Sequence, residues 1–346
     1  MAMTVEDLIG KARRLFEGSA LGAPAQPRYP PIAVEITPDR ILGVRLEQEK
    51  KNGGLRLQCV ASESLPEGAI EPSLIKPNIL APEPVSLALE AVLSSIARGE
   101  HRISLLLPDQ VARVAILGFA NLPRTRREML ELVRFRMAKS LPFKSEGAAV
   151  DLMLLGGGGT GASTAGTSVL AAFINRPVLE QYEDLLIRKG YWPGLVGLTS
   201  IELCNLFRDR LGASPGGDKD VLLMNITRHD MTLLIFRGPA LIFYRCKPHP
   251  VGAAGEETIA ALRREVYTSF AFYQEKLLGR GIGRALLRSV GVPLEAVRDV
   301  VAGEAGCPLE TLDLHDRVKL AAEVQISADE AMEATPAVGA VAGRRS

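Results

Sequence analysis

The sequence predicts an α/β protein built from two related halves, and three observations carry that expectation. "IAVEITPDRILGVRL" (Ile32–Leu46) and "LLMNITRHDMTLLIF" (Leu222–Phe236) align without a gap. Each gives an apolar strand, then Glu35 or Asn225, then an Ile-Thr pair (Ile36-Thr37, Ile226-Thr227), a polar turn and a second strand. After each hairpin, helical and strand periodicities alternate, the pattern of a mixed sheet covered by helices. The 346 residues, 47% apolar, are enough for two hydrophobic cores.

The elements follow in order. "TVEDLIGKARRLF" places Val5, Leu8, Ile9, Ala12, Leu15 and Phe16 on one helical face, so residues 1–18 are expected to form an amphipathic helix. Its apolar face suits a partner or a membrane surface, with residues 1–16 the contact, or the helix packs on its own domain. A Gly/Pro-rich linker occupies 19–31. The first domain is expected over 32–215. It starts with strands near 32–36, 40–47 and 55–63, then a helix over 83–98 and a buried strand in "ISLLLPD" (Ile103–Asp109). An inserted subdomain spans about 111–175. It has a strand in "VARVAILGF", a helix from about Arg124 to Ser140, a strand in "AAVDLMLL", and a loop at Gly156–Ser168 before "VLAAFIN". The four consecutive glycines of that loop lack the lysine and the following helix of a phosphate-binding loop, so they read as a hairpin linker. Helices over 177–189 and 199–211 flank another strand. The second domain runs over 216–322. The tail, 323–346, shows no sustained periodicity and is expected to be disordered.

Composition excludes several functions. A net charge of +1 offers no overall attraction for nucleic acid or an anionic membrane. Cys59, Cys204, Cys246 and Cys307 are far apart in sequence, as are the four histidines, so neither a disulfide framework nor a metal-ligand spacing is present. The cysteines read as reduced core thiols of a cytoplasmic protein. No apolar run approaches the roughly 20 residues that span a bilayer.

Two hairpins opening two α/β domains are the arrangement with which actin-like ATPases grip a nucleotide. Further motifs narrow the likeness. "LPEGAI" (Leu65–Ile70), "LPRTRREMLELVRFRMAKSLPFKSEGAAVD" (Leu122–Asp151), "VLEQYEDLLIRKGYWPGLV" and "LRREVYTSFAFYQEK" occur in the order and spacing of one branch of that superfamily. The chain resembles the type IV pilus assembly protein PilM family and its FtsA-like relatives from about Ile32 to Leu312. The resemblance implies an actin-like (ribonuclease H-like) duplicated two-domain fold with an inserted subdomain. The short stretch between "FYRCKPHP" and "LRREVY" implies a reduced lobe on the second domain.

The departures from the family fall on its chemistry. The family's Asp-Ile-Gly turn is Glu35-Ile36-Thr37 here, and the second turn is Asn225-Ile226-Thr227. A threonine crowds a backbone that glycine would let approach a phosphate. The acidic residue expected between the halves is replaced around Gly197–Thr199, and the adenosine-side glycines shrink to "RSVG" (Arg288–Gly291). Glu35, Thr37, Asn225, Thr227 and Gly291 thus mark a degenerate nucleotide site. No cofactor is expected; a divergent ATPase holding ATP and Mg²⁺ is the alternative, and an FtsA-like membrane-tethered filament another. The resemblance implies instead a scaffold of a pilus or secretion machine. That scaffold would be recruited to the inner face of the inner membrane, where it binds the short cytoplasmic N-terminus of a PilN-like protein and other cytoplasmic components. The implied partner site is Arg134, Phe135, Met137, Leu141, Pro142 and Phe143, in a groove between the first domain and its insertion.

Overall fold

The computed structural model describes residues 29–49, 54–155, 166–212, 217–249 and 255–342. The expected helix over 1–18, most of the 19–31 linker and most of the glycine-rich loop lie outside the described residues.

β1 (Ile32–Ile36), β2 (Arg40–Gln48) and β3 (Leu55–Ser64) form an antiparallel meander. α1 (Pro82–Ile96) then carries the chain to β4 (Arg102–Leu107), parallel to β1. The inserted subdomain follows: β5 (Ala112–Phe119), α2 (Arg126–Met137), β6 (Ala148–Leu155) and β7 (Thr167–Asn175), an antiparallel sheet of order β5-β7-β6 with α2 on one face. α3 (Arg176–Ile187) leads to β8 (Trp192–Leu198), parallel to β4. α4 (Thr199–Leu206) and the short α5 (Arg208–Leu211) close the first domain, broken at Phe207 where one continuous helix was expected.

The second domain repeats the plan. β9 (Asp220–Ile226), β10 (Asp230–Arg237) and β11 (Ala240–Pro248) form the meander. α6 (Glu256–Leu277) leads to β12 (Ile282–Ser289), parallel to β9, and α7 (Leu294–Ala305) to β13 (Leu309–Thr311), parallel to β12. Only residues 249–255 separate β11 from α6, so the reduced lobe is evident. The chain then returns to the first domain, where β14 (Lys319–Leu320) pairs with β3, and ends in α8 (Ala328–Ala342).

The two hairpins pair in the same register. Ile36 pairs with Ile41 and Ile226 with Met231, and in each turn the threonine amide donates to a carbonyl three residues on, Thr37 to Arg40 and Thr227 to Asp230, both at 2.9 Å. The repeat read from the sequence is therefore a structural duplication.

Packing explains the layers. α1 presents Val85, Leu89, Val92, Leu93 and Ile96 at helical spacing to the first sheet. It sits close because Gly43 beneath it has no side chain: a Cβ there would come within 2.5 Å of Val92 and Ile96. α3 covers the same face through Val178, Tyr182 and Leu186, while α6 and α7 cover the outer face of the second sheet. α4 and α8 lie between the two sheets. Leu203 and Leu206 of α4 and Ala334, Ala337, Val338 and Val341 of α8 share one core with Leu106 of the first sheet and Leu223 and Leu286 of the second.

The tail therefore differs from its expected disorder. Residues 328–342 form a helix apolar on nearly all sides, which is stable only when surrounded. Its start is a capping box: Ser327 N donates to Glu330 Oε2 at 2.8 Å, and Glu330 N to Ser327 Oγ at 3.2 Å. Its small residues permit close passage over α4. A Cβ on Gly339 would lie 2.1 Å from the carbonyl oxygen of Glu202.

Candidate functional site

The two threonine turns face each other at the mouth of the interdomain cleft, and the cleft is filled by the chain's own side chains. Thr37 Oγ1 accepts from Arg40 N at 3.2 Å and donates to Asp39 Oδ1 at 2.9 Å. Thr227 Oγ1 accepts from His229 N and Asp230 N, each at 3.1 Å, and donates to Asp230 Oδ1 at 2.7 Å. The turn amides that could cradle an anion are thus bonded inward by the residue that stands where glycine would leave them free.

Charged groups then bridge the two domains. Arg228 Nε lies 3.2 Å from Asp39 Oδ2, and His229 Nε2 lies 3.4 Å from Asp39 Oδ1. Burial would raise the Asp39 pKa, but the His229 contact and the Arg40 charge overcome it and bring the value down to about 2. Arg228 also covers Gly291, whose φ is +75° and whose Cβ would fall 2.2 Å from Arg228 Cγ. Gln110 Nε2 reaches Asp230 Oδ2 at 3.1 Å. Arg40 pairs with Glu333 of α8.

Deeper in, Glu35, Asn225, Arg288 and Asp109 each have a partner from another element. Glu35 is buried and accepts from Thr199 Oγ1 at 2.9 Å; burial pushes its carboxyl up, against the pull of Arg288 and Thr199. Asn225 Nδ2 donates to Ser200 Oγ at 2.9 Å, while its Oδ1 accepts from Arg288 Nη1 at 2.8 Å. Arg288 Nε donates to Met332 O at 2.8 Å and Nη2 to Glu333 O at 3.0 Å. The Met332 carbonyl is available because Pro336, four residues on, has no N–H to give it. Asp109, after β4, accepts from Ser200 Oγ, from Ser200 N at 3.3 Å and, across the domain boundary, from Thr232 Oγ1 at 3.1 Å. Burial, then the neighbouring Asp230 charge, push Asp109 up to about 7.

The space left in this cleft is about 30 Å³, lined by Glu35, Thr37, Asp39, Arg40, Asp109, Arg228, Arg288 and Glu333 among others. Small-molecule sites usually need about 300 Å³ or more. Glu35, Thr37, Asn225, Thr227 and Gly291 do come together at the cleft, as read from the sequence. Asp109, Ser200, Arg228 and Glu333 were not read as site residues. The only local signals were the polar residue ending the apolar run at Asp109 and the capping box at Ser327.

A second concavity, about 270 Å³, opens between the inserted subdomain and the first domain. Val150–Met153 of β6, Leu170, Ala172 and Ile174 of β7, Leu195–Leu198 of β8 and Ile201 of α4 make an apolar lining. Asp151 stands exposed at its rim, and Glu202 lies buried within it, accepting from Asn205 Nδ2 at 2.8 Å. Gly197 makes room for that carboxylate: a Cβ there would sit 2.6 Å from Glu202 Oε1. β6 and β8 are each the last strand of their sheets, so the groove runs between two sheet edges.

The residues proposed for the groove from sequence do not line it. β7 alternates, sending Leu170, Ala172 and Ile174 to the groove and Val169, Ala171 and Phe173 to the opposite face, against α2. Met137 is buried in that second core, with Leu141 and Phe143 packed on it. Arg134 fastens the following turn, donating to Ser145 O and, at 3.0 Å, to Ala148 O. Pro142 is exposed, and Phe135 is 82% exposed.

No family model matches the sequence, and no curated protein matches it. Among solved structures, the PilM–PilN type IV pilus biogenesis complex matches with a TM-score of 0.76 and 16% identity, over 91% of this chain and 98% of that one. A Bacteroides thetaiotaomicron protein with an actin-like ATPase fold and unknown function matches at TM-score 0.45 and 9% identity, over 85% and 94% of the two chains. The cytoplasmic domain of EpsL, an inner-membrane component of the Vibrio cholerae type II secretion system, also matches at 0.45 and 9%, over 88% and 93%. The fold of this chain is the actin-like two-domain fold seen in PilM.

Proposed function

We propose that this chain is a cytoplasmic scaffold of a type IV pilus or related secretion machine that binds no nucleotide and holds a peptide in the groove beside its inserted subdomain. The observation that carries the reading is a contrast. The cleft of the actin-like fold is closed by Arg288, Arg228 and Asp39, with about 30 Å³ left, while the groove beside the inserted subdomain stays open at about 270 Å³. A neighbour in fold was solved as a complex of PilM with PilN. The partner proposed here is the short N-terminal cytoplasmic segment of a PilN-like inner-membrane protein.

The groove's chemistry suits an extended apolar segment. Edges of β6 and β8 that are unpaired among the described residues offer backbone donors and acceptors, Leu170, Leu195 and Ile201 receive side chains, and Asp151, paired with Arg126, makes the rim polar. Calorimetry with a synthetic PilN N-terminal peptide, and separately with ATP and Mg²⁺, tests both halves. The expected result is peptide binding weakened at least tenfold by Met153→Glu, an exposed groove residue, and no heat with ATP. Magnesium-dependent ATP binding, or peptide binding indifferent to Met153→Glu, refutes the reading.

A further inference from the structure

Phe135 is the most exposed large apolar side chain among the described residues, at 82% against 63% for Leu87, Tyr267 and Leu278. It sits on the outward face of α2, whose inward residues Val133 and Met137 hold the helix to its sheet. From Leu122 to Gly147 the chain carries seven basic residues and only three acidic ones, in a protein whose net charge is +1. The acidic residues of the helix's first half are engaged: Glu128 accepts from Thr125 at 2.8 Å and Glu131 pairs with Arg127. The second half is left positive. Arg136, Lys139 and Lys144 are exposed and pair with no carboxylate among the described residues. Lys139 lies one turn beyond Phe135, and the turn fastened by Arg134 brings Lys144 back beside the helix. Cations in a last turn answer to the helix dipole, but the dipole gives no reason for an exposed phenylalanine among them.

We propose that the exposed end of α2 and the turn after it, Phe135 and Arg136 with Lys139 and Lys144, are a contact for a membrane surface rich in anionic lipid. An aromatic ring flanked by long cationic side chains is the composition that enters the headgroup region, ring inserted and cations on phosphates. The patch is the exposed end of α2 with the turn that follows it, and none of its residues lines the groove or the cleft, so it fits a flat bilayer better than a protein that needs a pocket to anchor in. Its place is consistent. The same three-stranded sheet carries the groove on one face and α2 on the other, and a peptide of about ten residues reaches only about 35 Å from its bilayer. That last step rests on the function proposed above; the charge and exposure of the patch do not.

The test uses the full chain and vesicles of phosphatidylglycerol and phosphatidylethanolamine, with phosphatidylcholine vesicles as control. Cosedimentation is expected with the anionic vesicles only, weakening as salt rises. Arg136→Glu with Lys139→Glu is expected to reduce it at least about thirtyfold. Phe135→Trp in a Trp192→Phe background, which leaves one tryptophan, is expected to shift its emission to the blue on the anionic vesicles and be quenched by brominated acyl chains. Vesicle binding unchanged by the charge reversal, or a tryptophan at 135 that stays water-exposed on bound vesicles, overturns the proposal. So does binding that is lost on deleting residues 1–18 yet untouched by the patch variants, or a Phe135-dependent self-association. Peptide calorimetry on the same variants keeps the two sites apart, because a failed groove leaves vesicle binding intact.

Discussion

Arg288 and Asn225 are joined at 2.8 Å, Nη1 to Oδ1, at the centre of the molecule, and the same guanidinium reaches two carbonyls of α8. One side chain therefore ties the second domain's first strand to the helix that lies between the two sheets. It is 3% exposed, so its charge is held by these acceptors and by nearby Glu35 rather than by water.

Arg288→Met should accordingly strand Asn225 Oδ1 and leave Glu35 without its cation. Removing one member of a buried charged network costs about 3–5 kcal/mol. Urea denaturation followed by circular dichroism should show that loss; a change under about 1 kcal/mol would mean that α8 holds without it.

Asp109 should make stability fall as pH rises from about 4 to about 7. The Asp109 pKa is raised in the fold from 3.8 to about 7, so between those values the folded state binds more protons than the unfolded one. Its contribution is fully present below about pH 4 and is lost as pH rises through about 7. The groups facing it are Asp230, Arg288, Tyr244, Ser200 and Thr232, and a neutral carboxyl relieves the repulsion from Asp230. Asp39 acts oppositely, with stability present above about 4 and lost as pH falls through about 2. Asp109→Asn should flatten the decline between about pH 4 and 7 in thermal melts. An equally steep decline in that variant would assign it to another group.

Gly339→Ala places a methyl against the Glu202 carbonyl and should force α4 and α8 apart. Overpacking of this kind costs about 1–3 kcal/mol. A neighbouring control, Ala342→Ser at the half-buried helix end, should cost little, and comparing the two melts isolates the close approach.

Three residues read together from sequence should separate on mutation. Met137→Ala, in the core under α2, is expected to cost about 2–5 kcal/mol, whereas Phe135→Ala should change stability by less than about 0.5 kcal/mol. Phe143→Ala should fall between, being partly buried against the same core. Equal losses at 135 and 137 would show that Phe135 is covered in solution.

The sequence by itself determined the hairpins, their duplication, the inserted subdomain and the reduced lobe. The hairpins and their duplication rest on local rules, the two-residue period of a strand and the chemistry of one turn, written in contiguous runs such as Ile32–Leu46, whereas the inserted subdomain and the reduced lobe were implied by the family resemblance. Thr37 and Thr227 stood out as departures only against the turn of the family the chain resembles. Only the tertiary structure decided that "EATPAVGAVA" is a helix and not a disordered tail. Small apolar residues carry little periodic signal, and it is burial between two sheets that stabilises them. The concavity beside the inserted subdomain was not legible for a related reason. Its lining comes from β6, β7, β8 and α4, and the alternation of β7 puts Leu170 and Phe173 on opposite faces, so a contiguous motif at Arg134–Phe143 could not mark it. Arg288 and Glu333 are 45 residues apart and meet because β12 and α8 converge on the cleft. Which polar groups neutralise one another in a buried cleft depends on three-dimensional distance, and distance across domains is set by packing rather than by any spacing along the chain.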